Sequence, residues 1–562
     1  MKTRKPLLII LICCLLHSPI LALSTKPFNS DSPIYKLAYS LCISNGVNPP
    51  TSVSPMTAYE IIDALDNIPL AKLDKDEQNI LEFIKKELDP EYSIATEHIE
   101  LNFSPIITPE ILAHTTILDR PTDYYQIKDR NSIIDLSLDL KIGDSGYAFG
   151  NWLFIANELK DIQGEKNSSN FSELTSFQKE GIFNSGIYLA NEYSYGGIFK
   201  TSQEMGYGKT GNLMVSDNFS RQDFLRYKIH SDVFDYTFNL TQFDQAELTD
   251  KINEVKFSNM KYNGMKQYQA IHRFEVKFSN TFQFVFQEGS MLNVSNFDTR
   301  MLNPFVYFHG LYNFSESKDY TPGVSDDESN NYIVVELGYT PMQHLRGNFQ
   351  FLMDQIQVGG ERTSTTACPE AFGLLLNLES PWTYKDKYFN MYYEGVYIWP
   401  YTYLNLKVDK DSGKYNTNLD MITGYHNQIQ DEVGYAGYTY GNDVITNSLG
   451  FTYGKTGLFD ADFSINYIIH GKNGFGYETI IPPRGPANLS DKALVGVGFK
   501  NAEHTLKLAL DANYYVMEAV DIQIGLAYLN IWNYKLDTNR NISDLQFKFA
   551  VSIDPVKLLS NR

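Results

Sequence analysis

Three stretches of this 562-residue chain carry residue types and spacings that do chemistry in other settings. Gly143-Asp144-Ser145-Gly146 has the order of a serine nucleophile loop, which works only when a His and an Asp are placed to activate the hydroxyl. The further glycine such a loop needs is Tyr147 here, and no His/Asp framework surrounds it, so the stretch reads as a turn at the end of a strand. Gly208-Lys209-Thr210 and Gly454-Lys455-Thr456 copy the end of a phosphate-binding loop. The glycine required five places earlier is Gln203 in one and Leu449 in the other, so neither can build the backbone cradle. The ten histidines show no His-x-x-x-His or Cys/His spacing, so no metal and no cofactor is expected. Paired carboxylates are common in a chain with 67 acids and 47 bases and single out no acid/base pair. No catalytic constellation is predicted, and function has to be sought in what the elements build.

Those elements repeat one pattern from about Ser132 to the end: stretches of about ten residues alternating apolar and polar. In the last of them Leu545, Phe547, Phe549, Val551 and Ile553 share one side, and Gln546, Lys548, Ala550 and Ser552 the other. Phe274, Val276 and Phe278 alternate with Arg273, Glu275 and Lys277, and then Phe282, Phe284 and Phe286 with Gln283, Val285 and Gln287. Strand side chains change face at every residue, so the pattern makes one apolar and one largely polar wall. Strands of ~9–11 residues with an apolar, aromatic outside and a polar inside are what a transmembrane β-barrel requires. About twenty strand candidates can be marked, among them Ile133–Ile142, Gly186–Tyr195, Tyr227–Leu240, Tyr268–Ser279, Thr281–Glu288, Leu494–Lys500 and Asp544–Ile553. Gly196-Gly197 and Lys472-Asn473-Gly474 read as turns, and Ser315–Asn331 as a long acidic loop.

The N-terminal part differs in kind. Residues 1–24 read as a secretory signal peptide: basic Lys2, Arg4 and Lys5, the apolar run Leu7–Leu16, and small residues at Ala22 and Ser24. Cys13 and Cys14 belong to it, which leaves Cys42 and Cys368 as two free or buried thiols. Residues 25–90 have helical spacing in three places: Tyr35, Leu37, Ala38 and Leu41; Tyr59, Ile61, Ile62 and Leu65 after a Ser54-Pro55 start; and Ile80, Leu81, Phe83 and Ile84. About 60 residues make little core alone, so this segment should pack as a plug on the periplasmic mouth or in the lumen of a barrel formed by residues 91–562. After the signal no run of ~18 apolar residues occurs, which excludes a helical membrane protein. A formal net charge of −20 argues against nucleic acid and against anionic membrane surfaces as partners.

Several spaced blocks resemble the Wzi-like capsule assembly family of outer-membrane proteins. They are the helical segment with its turn at Gly46; Gly211-Asn212-Leu213 through Asn218 to Leu225-Arg226; and His272-Arg273-Phe274-Glu275, then Glu288, then Asp298 to Pro304. Further on come Phe351-Leu352-Met353-Asp354, Glu394, Pro400-Tyr401-Thr402-Tyr403 and Tyr440-Gly441-Asn442-Asp443. Two features depart from the family's pattern: Gln355 follows Asp354 where a second acid is common, and nine residues, Asp554 to Arg562, follow the final strand. Outer-membrane barrels usually end on an aromatic residue read by the assembly machinery.

The resemblance implies an all-β, antiparallel transmembrane barrel of about 18 strands with a short N-terminal α-helical segment, placed in the outer membrane. It further implies a lectin-like, non-enzymatic role in assembling or attaching a surface polysaccharide. The partners expected are outer-membrane lipid, that polysaccharide and the barrel assembly machinery. The alternative is a porin-like diffusion channel for small solutes, since the same wall would serve it and an acidic lumen would favour cations. Arg273, Glu275, Glu288, Arg300 and Asp354 are expected to form a polar network in the lumen. Tyr440, Asn442 and Asp443, with Tyr438 and a second group at Trp399, Tyr401 and Tyr403, are candidates for sugar contact or for an interfacial aromatic girdle.

Overall fold

The computed structural model describes residues 27–560 outside the stretches 89–93, 97, 117, 119–123, 125, 144, 157–166, 171–176, 244–265, 295–298, 304, 309–328, 357–361, 364–368, 386, 405, 409–414, 419–420, 426–431, 475–476 and 478–499. The signal segment with Cys13 and Cys14, Cys368, most of the acidic Ser315–Asn331 loop and the Leu494–Lys500 strand candidate, up to residue 499, lie outside the described residues.

Eighteen antiparallel strands form a closed barrel. The first, β1, runs Ile99–Ile107 and resumes at Glu110–His114 after Thr108-Pro109. It is followed by β2 (Ile134–Ile142), β3 (Gly146–Ala156), β4 (Phe177–Asn191), β5 (Ser194–Thr201), β6 (Gln222–Ile229), β7 (Phe234–Phe243), β8 (Lys266–Ser279) and β9 (Phe282–Val294). The second half is β10 (Ser329–Met342), β11 (Leu345–Gln355), β12 (Ala371–Tyr384), β13 (Lys387–Ile398), β14 (Val444–Lys455), β15 (Phe459–His470), β16 (Glu503–Met517), β17 (Val520–Trp532) and β18 (Ile542–Ile553). Each strand pairs with the next, and β18 closes on β1 in the register Gln546↔His114 to Ala550↔Glu110. Closure removes sheet edges, which a wall facing lipid needs because nothing there can satisfy open backbone groups.

The alternation sets the two faces as the sequence predicts. On β12, Leu374, Leu376 and Leu378 are 37–43% exposed on the outside, while Leu375, Asn377 and Glu379 are at most 1% exposed within. On β18, Leu545 and Phe547 face out and Asp544 and Gln546 in. Connections alternate between tight turns at one end, such as Asn280-Thr281, and long segments at the other.

Two strand expectations need correction. Tyr227–Leu240 is not one strand: residues 230–233 turn between β6 and β7, where the Ser231 hydroxyl accepts from the Phe234 amide (3.0 Å) and the Asp235 carboxylate accepts from the Ser231 amide (3.3 Å). Gly186–Tyr195 likewise crosses a turn, in which Asn191 Oδ1 accepts from the amides of Tyr193 and Ser194. Short polar side chains that bond nearby amides stop a strand even when apolar alternation continues past them. Conversely, Gly196-Gly197 is no turn but lies inside β5, where a Cβ on Gly197 would fall 2.4 Å from the Tyr188 Cβ.

Three helices fill the tight-turn end: α1 (Pro33–Ser44), α2 (Ala58–Asp66) and α3 (Lys75–Leu88). Ser32 caps α1, and its hydroxyl accepts from the Tyr35 amide. Thr57 and Glu60 form a capping box at α2, three residues beyond the expected Ser54-Pro55 start, and Asp74 with Glu77 does the same for α3. Leu37, Leu41, Ile61, Leu65, Ile80 and Ile84 join one apolar core between the helices, which reaches Tyr207 and Tyr388 of the barrel. Cys42 is a free, buried thiol in that core, and burial pushes its pKa up. After β18, a last helix, α4 (Pro555–Ser560), lies beside β1, and Asp554 accepts from the Ser104 hydroxyl (3.0 Å).

Candidate functional site

The lumen is not an open pore through the sector bounded by β6–β14. The connection 202–221, between β5 and β6, folds inward and is buried along most of its length. Its Met205, Leu213, Met214 and Val215 pack against lumen-facing Ile271, Met291, Val334, Leu352, Leu375 and Val396, and against Tyr403 and Tyr438 of the 399–443 connection. An apolar core inside a barrel wall has to be covered by apolar chain, and these two segments supply it. From the other side, segment 124–131 also turns in: Arg130 Nε bonds Glu110 Oε1 (2.7 Å) and the Tyr124 hydroxyl bonds Asp511 Oδ1 (2.8 Å).

Below this apolar layer lies a polar one. Arg273 Nη2 donates to the Ser52 hydroxyl (2.7 Å) and to Glu275 Oε2 (3.3 Å), and Arg273 Nη1 stands 3.7 Å from Glu336 Oε2. Gln350 joins the wall to the inward segment: its Nε2 reaches Glu336 and Asn212, and its Oε1 accepts from the Leu213 amide. Arg226 Nη1 reaches the Pro55 carbonyl and Nη2 the Gln203 side chain, so it ties β6 to the helical segment. Charges this deep stand only because partners surround them.

Gly208-Lys209-Thr210 shows what its amides do. The backbone N–H groups of Lys209 (2.7 Å) and Thr210 (2.9 Å) and the Thr210 hydroxyl all donate to the Glu394 carboxylate. The stretch binds an anion, but that anion is a side chain of β13. Lys209 Nζ in turn pairs with Glu379 (2.9 Å), which also accepts from the Tyr39 hydroxyl of α1 (2.6 Å).

The expected site residues fall into three places. Arg273 and Glu275 share the lumen network just described. Asp354 also points inward, where it accepts from the Tyr403 amide (2.6 Å) and the Asn330 side chain (3.3 Å). Glu288 and Arg300 stand elsewhere, which corrects the expectation for both. Glu288 pairs with His272 and shares the outward face of Phe286, so its Cα–Cβ bond leaves the wall away from Arg273. Arg300 lies in a short helical turn, Thr299–Leu302, on that same outer side. Tyr440, Asn442 and Asp443 belong to residues 432–443, the end of the 399–443 connection, which packs inward. Asn442 Oδ1 accepts from the Tyr435 hydroxyl and its Nδ2 donates to the Pro400 carbonyl. Asp443, at φ 53°, accepts from the amide and side chain of Asn473. Tyr438 is fully buried with Tyr440 against it, so these aromatics are part of a packed lid and not of an interfacial girdle.

Sequence reasoning marked Asn212 and Glu394 through the family resemblance but missed that their segments turn inward, and it missed Gln350 altogether. Beside that resemblance, the local signal was the density of Gly, Asn, Ser and Thr in 206–220, which reads equally well as an exposed loop. A cavity of about 510 Å³ remains at the tight-turn end, between the helices and the β1–β3 and β17–β18 walls, with Phe28, Tyr147, Asp139, Asp521 and Asp554 among its lining.

A closed 18-strand barrel with an apolar outer belt, inner segments packed in its lumen and helices at one mouth has the architecture of the transmembrane β-barrels of outer-membrane proteins. Among solved structures the chain is similar to Wzi of Escherichia coli, an outer-membrane protein involved in group 1 capsule assembly and described as a carbohydrate-binding β-barrel. The TM-score is 0.56 at 14% identity, over 94% of this chain and 99% of that one. Overlap is weaker with OccAB4 of Acinetobacter baumannii (TM-score 0.41, 10% identity, 82% of this chain and 98% of that one). OprD of Pseudomonas aeruginosa gives a TM-score of 0.37 at 9% identity, over 82% and 97%. No family model and no curated protein matches the sequence.

Proposed function

We propose that this chain is an outer-membrane barrel that binds, or helps to attach, a surface polysaccharide of capsule type and catalyses nothing. One observation carries the reading: the overlap with the carbohydrate-binding barrel covers 94% of the chain, a share too large to leave the helical segment out. The packed lumen supports it, because a barrel filled by its own segments has little use as a diffusion pore and offers its mouths for binding. Tight turns mark the periplasmic end of such barrels and long connections the extracellular end. In this reading residues 25–90 are a periplasmic plug and residues 91–562 the barrel. The 399–443 and 202–221 connections then build the extracellular side, where polysaccharide would be met. Inside the lumen Arg273, Glu275 and Asp354 hold structure, and ligand contact is left to groups at the extracellular rim.

Deleting the gene tests this. Surface polysaccharide should loosen from the cells while its synthesis stays intact, and the purified barrel should retain the polymer in a pull-down. Normal attachment of the polymer with loss of small-solute uptake would overturn the reading in favour of a diffusion channel.

A further inference from the structure

The outer wall is covered by protein at one place only among the groups of neighbouring strands described, on β7–β9. There the outward-facing Tyr236, Phe238, Ala270, His272, Glu288, Ser290 and Leu292 are at most 4% exposed, whereas outward Leu376, Leu449 and Phe463 of other strands are 41–54% exposed. The cover is residues 299–303 and 305–308, which follow β9 and lie on the outside of the barrel. Met301 and Phe308 are fully buried in one cluster with Tyr236, Phe238, Ala270 and Leu292. The Phe308 ring meets the His272 ring edge-on at 4.3 Å, and the Tyr227 hydroxyl donates to the Leu302 carbonyl. His272 is the seventh of the fourteen residues of β8, so the stretch reaches the middle of the wall.

Three polar side chains, His272, Glu288 and Ser290, would otherwise face outward at that depth, and polar groups set against hydrocarbon cost several kcal/mol each. The stretch hides them and offers apolar side chains in their place: Phe305 is 93% exposed, Tyr307 50% and Leu302 37%. On the same strands, nearer the tight turns, the outward residues are Phe274, Val276, Phe278, Phe282, Phe284 and Phe286, so the new apolar surface continues the belt.

We propose that residues 299–308 are a lipid anchor, whose Leu302, Phe305 and Tyr307 insert among the acyl chains of the leaflet nearer the long connections. The anchor rests on the reading that the wall spans a membrane. It would fix the barrel's depth and rotation beside the connections that reach the surface.

Spin labels test both statements at once. With Cys368 replaced by Ser and Cys42 left in its buried site, Phe305→Cys and, separately, Leu376→Cys on the belt of β12 are labelled in proteoliposomes. Collisions with oxygen and with a water-soluble nickel chelate are then measured. The expected result is oxygen in excess over the chelate at both positions, with no dipolar broadening at 305. Chelate access at 305 with a lipid signature at 376 overturns the anchor and leaves the barrel reading standing. Broadening at 305 shows a second copy of the chain on this surface and also overturns it. Chelate access at both positions overturns the membrane reading itself.

Discussion

The Lys228 ammonium on β6 and the Glu60 carboxylate on α2 meet in an ion pair whose side chains are 1% and 2% exposed. Glu60 also accepts from the Thr57 amide in its own capping box, and Asp235 of β7 stands 3.4 Å from the same ammonium. One lysine therefore neutralises a wall carboxylate and a helix carboxylate together. Lys228→Met should leave Glu60 without its cation, while Asp235 keeps His230 and Lys277, at a cost of about 3–5 kcal/mol for breaking a buried pair from one side. The loss should fall on the docking of the helices and spare wall closure, since the strand ladder does not depend on it. Limited proteolysis within residues 27–88 of the folded barrel is the check: the variant should be cut much faster, while its heat-modifiable migration on gels persists. Equal cutting would mean that the apolar core between the helices carries the docking.

A second clasp lies beside it and is sensitive to pH. His230, in the turn between β6 and β7, stands 2.8 Å from Asp235 through Nδ1 and 3.3 Å from Asp63 of α2 through Nε2. Burial opposes its charge, but the Asp235 and Asp63 carboxylates outweigh that and push its pKa up to about 9. Asp63 is half-buried, which opposes its charge, yet His230 and Lys277 hold its pKa below the usual carboxylate value. A raised histidine stabilises fully below its unfolded value of about 6.5 and loses that contribution as pH rises through about 9. A lowered aspartate stabilises above its unfolded value, near 4, and loses its contribution as the medium becomes more acid. Docking of α2 should thus be tightest between about pH 4 and pH 6.5 and weaken towards pH 10. Hydrogen exchange of the α2 amides, corrected for intrinsic rate, should follow that course, and His230→Gln should flatten the alkaline limb. An alkaline limb unchanged in the variant would assign the effect to another group.

The belt gives a test by parity. Val276 faces outward on β8 between Phe234 and Phe284, while its neighbour Lys277 turns inward to within 3.6 Å of Asp63 and 3.7 Å of Asp235. Arginine on a lipid-facing wall costs ~2–4 kcal/mol near the midplane and less towards the rim. Val276→Arg should reduce the folded, membrane-inserted fraction well below that of Lys277→Gln. Equal yields from the two variants would contradict the inward and outward assignment.

The wall was legible because it obeys a period of two over many residues, and each face meets a different medium. On β12 and β18 the alternation alone separates lipid from lumen. The tight turns were less legible: in His230-Ser231-Asp232-Val233 the apolar rhythm runs on while side-chain bonds to nearby amides end the strand. Glu288 shows a different failure. Its even-numbered place after Phe282, Phe284 and Phe286 already put it on the outer face, and the likeness of a block of residues displaced that parity. The segments that fill the lumen stood out only through the family resemblance, and their inward course could not be read. Gln350 and Glu394 gain their roles from chain more than a hundred residues away, at Asn212, Leu213, Lys209 and Thr210, and no local pattern records such a meeting.

That filling leads to a prediction about conduction. The helices close only the tight-turn mouth; 202–221 pairs with Val53-Ser54 through Glu204-Met205, but it is also held from the wall and the 399–443 side by Glu394, Gln350 and the Tyr403 hydroxyl, which donates to the Leu213 carbonyl (2.7 Å). Removing residues 27–88 should therefore leave a barrel that still conducts poorly in planar bilayers. Replacing residues 206–216 by a short Gly/Ser link should strip the apolar layer from Leu352, Leu375 and Val396 and admit water to a lumen of porin size. With both changes conductance should rise by about an order of magnitude or more over the helix deletion alone, since a barrel of 16–18 strands without inner segments encloses an aqueous channel. A large open-channel current after removal of the helices alone would show that 202–221 does not seal the lumen, and that the helical segment is the gate.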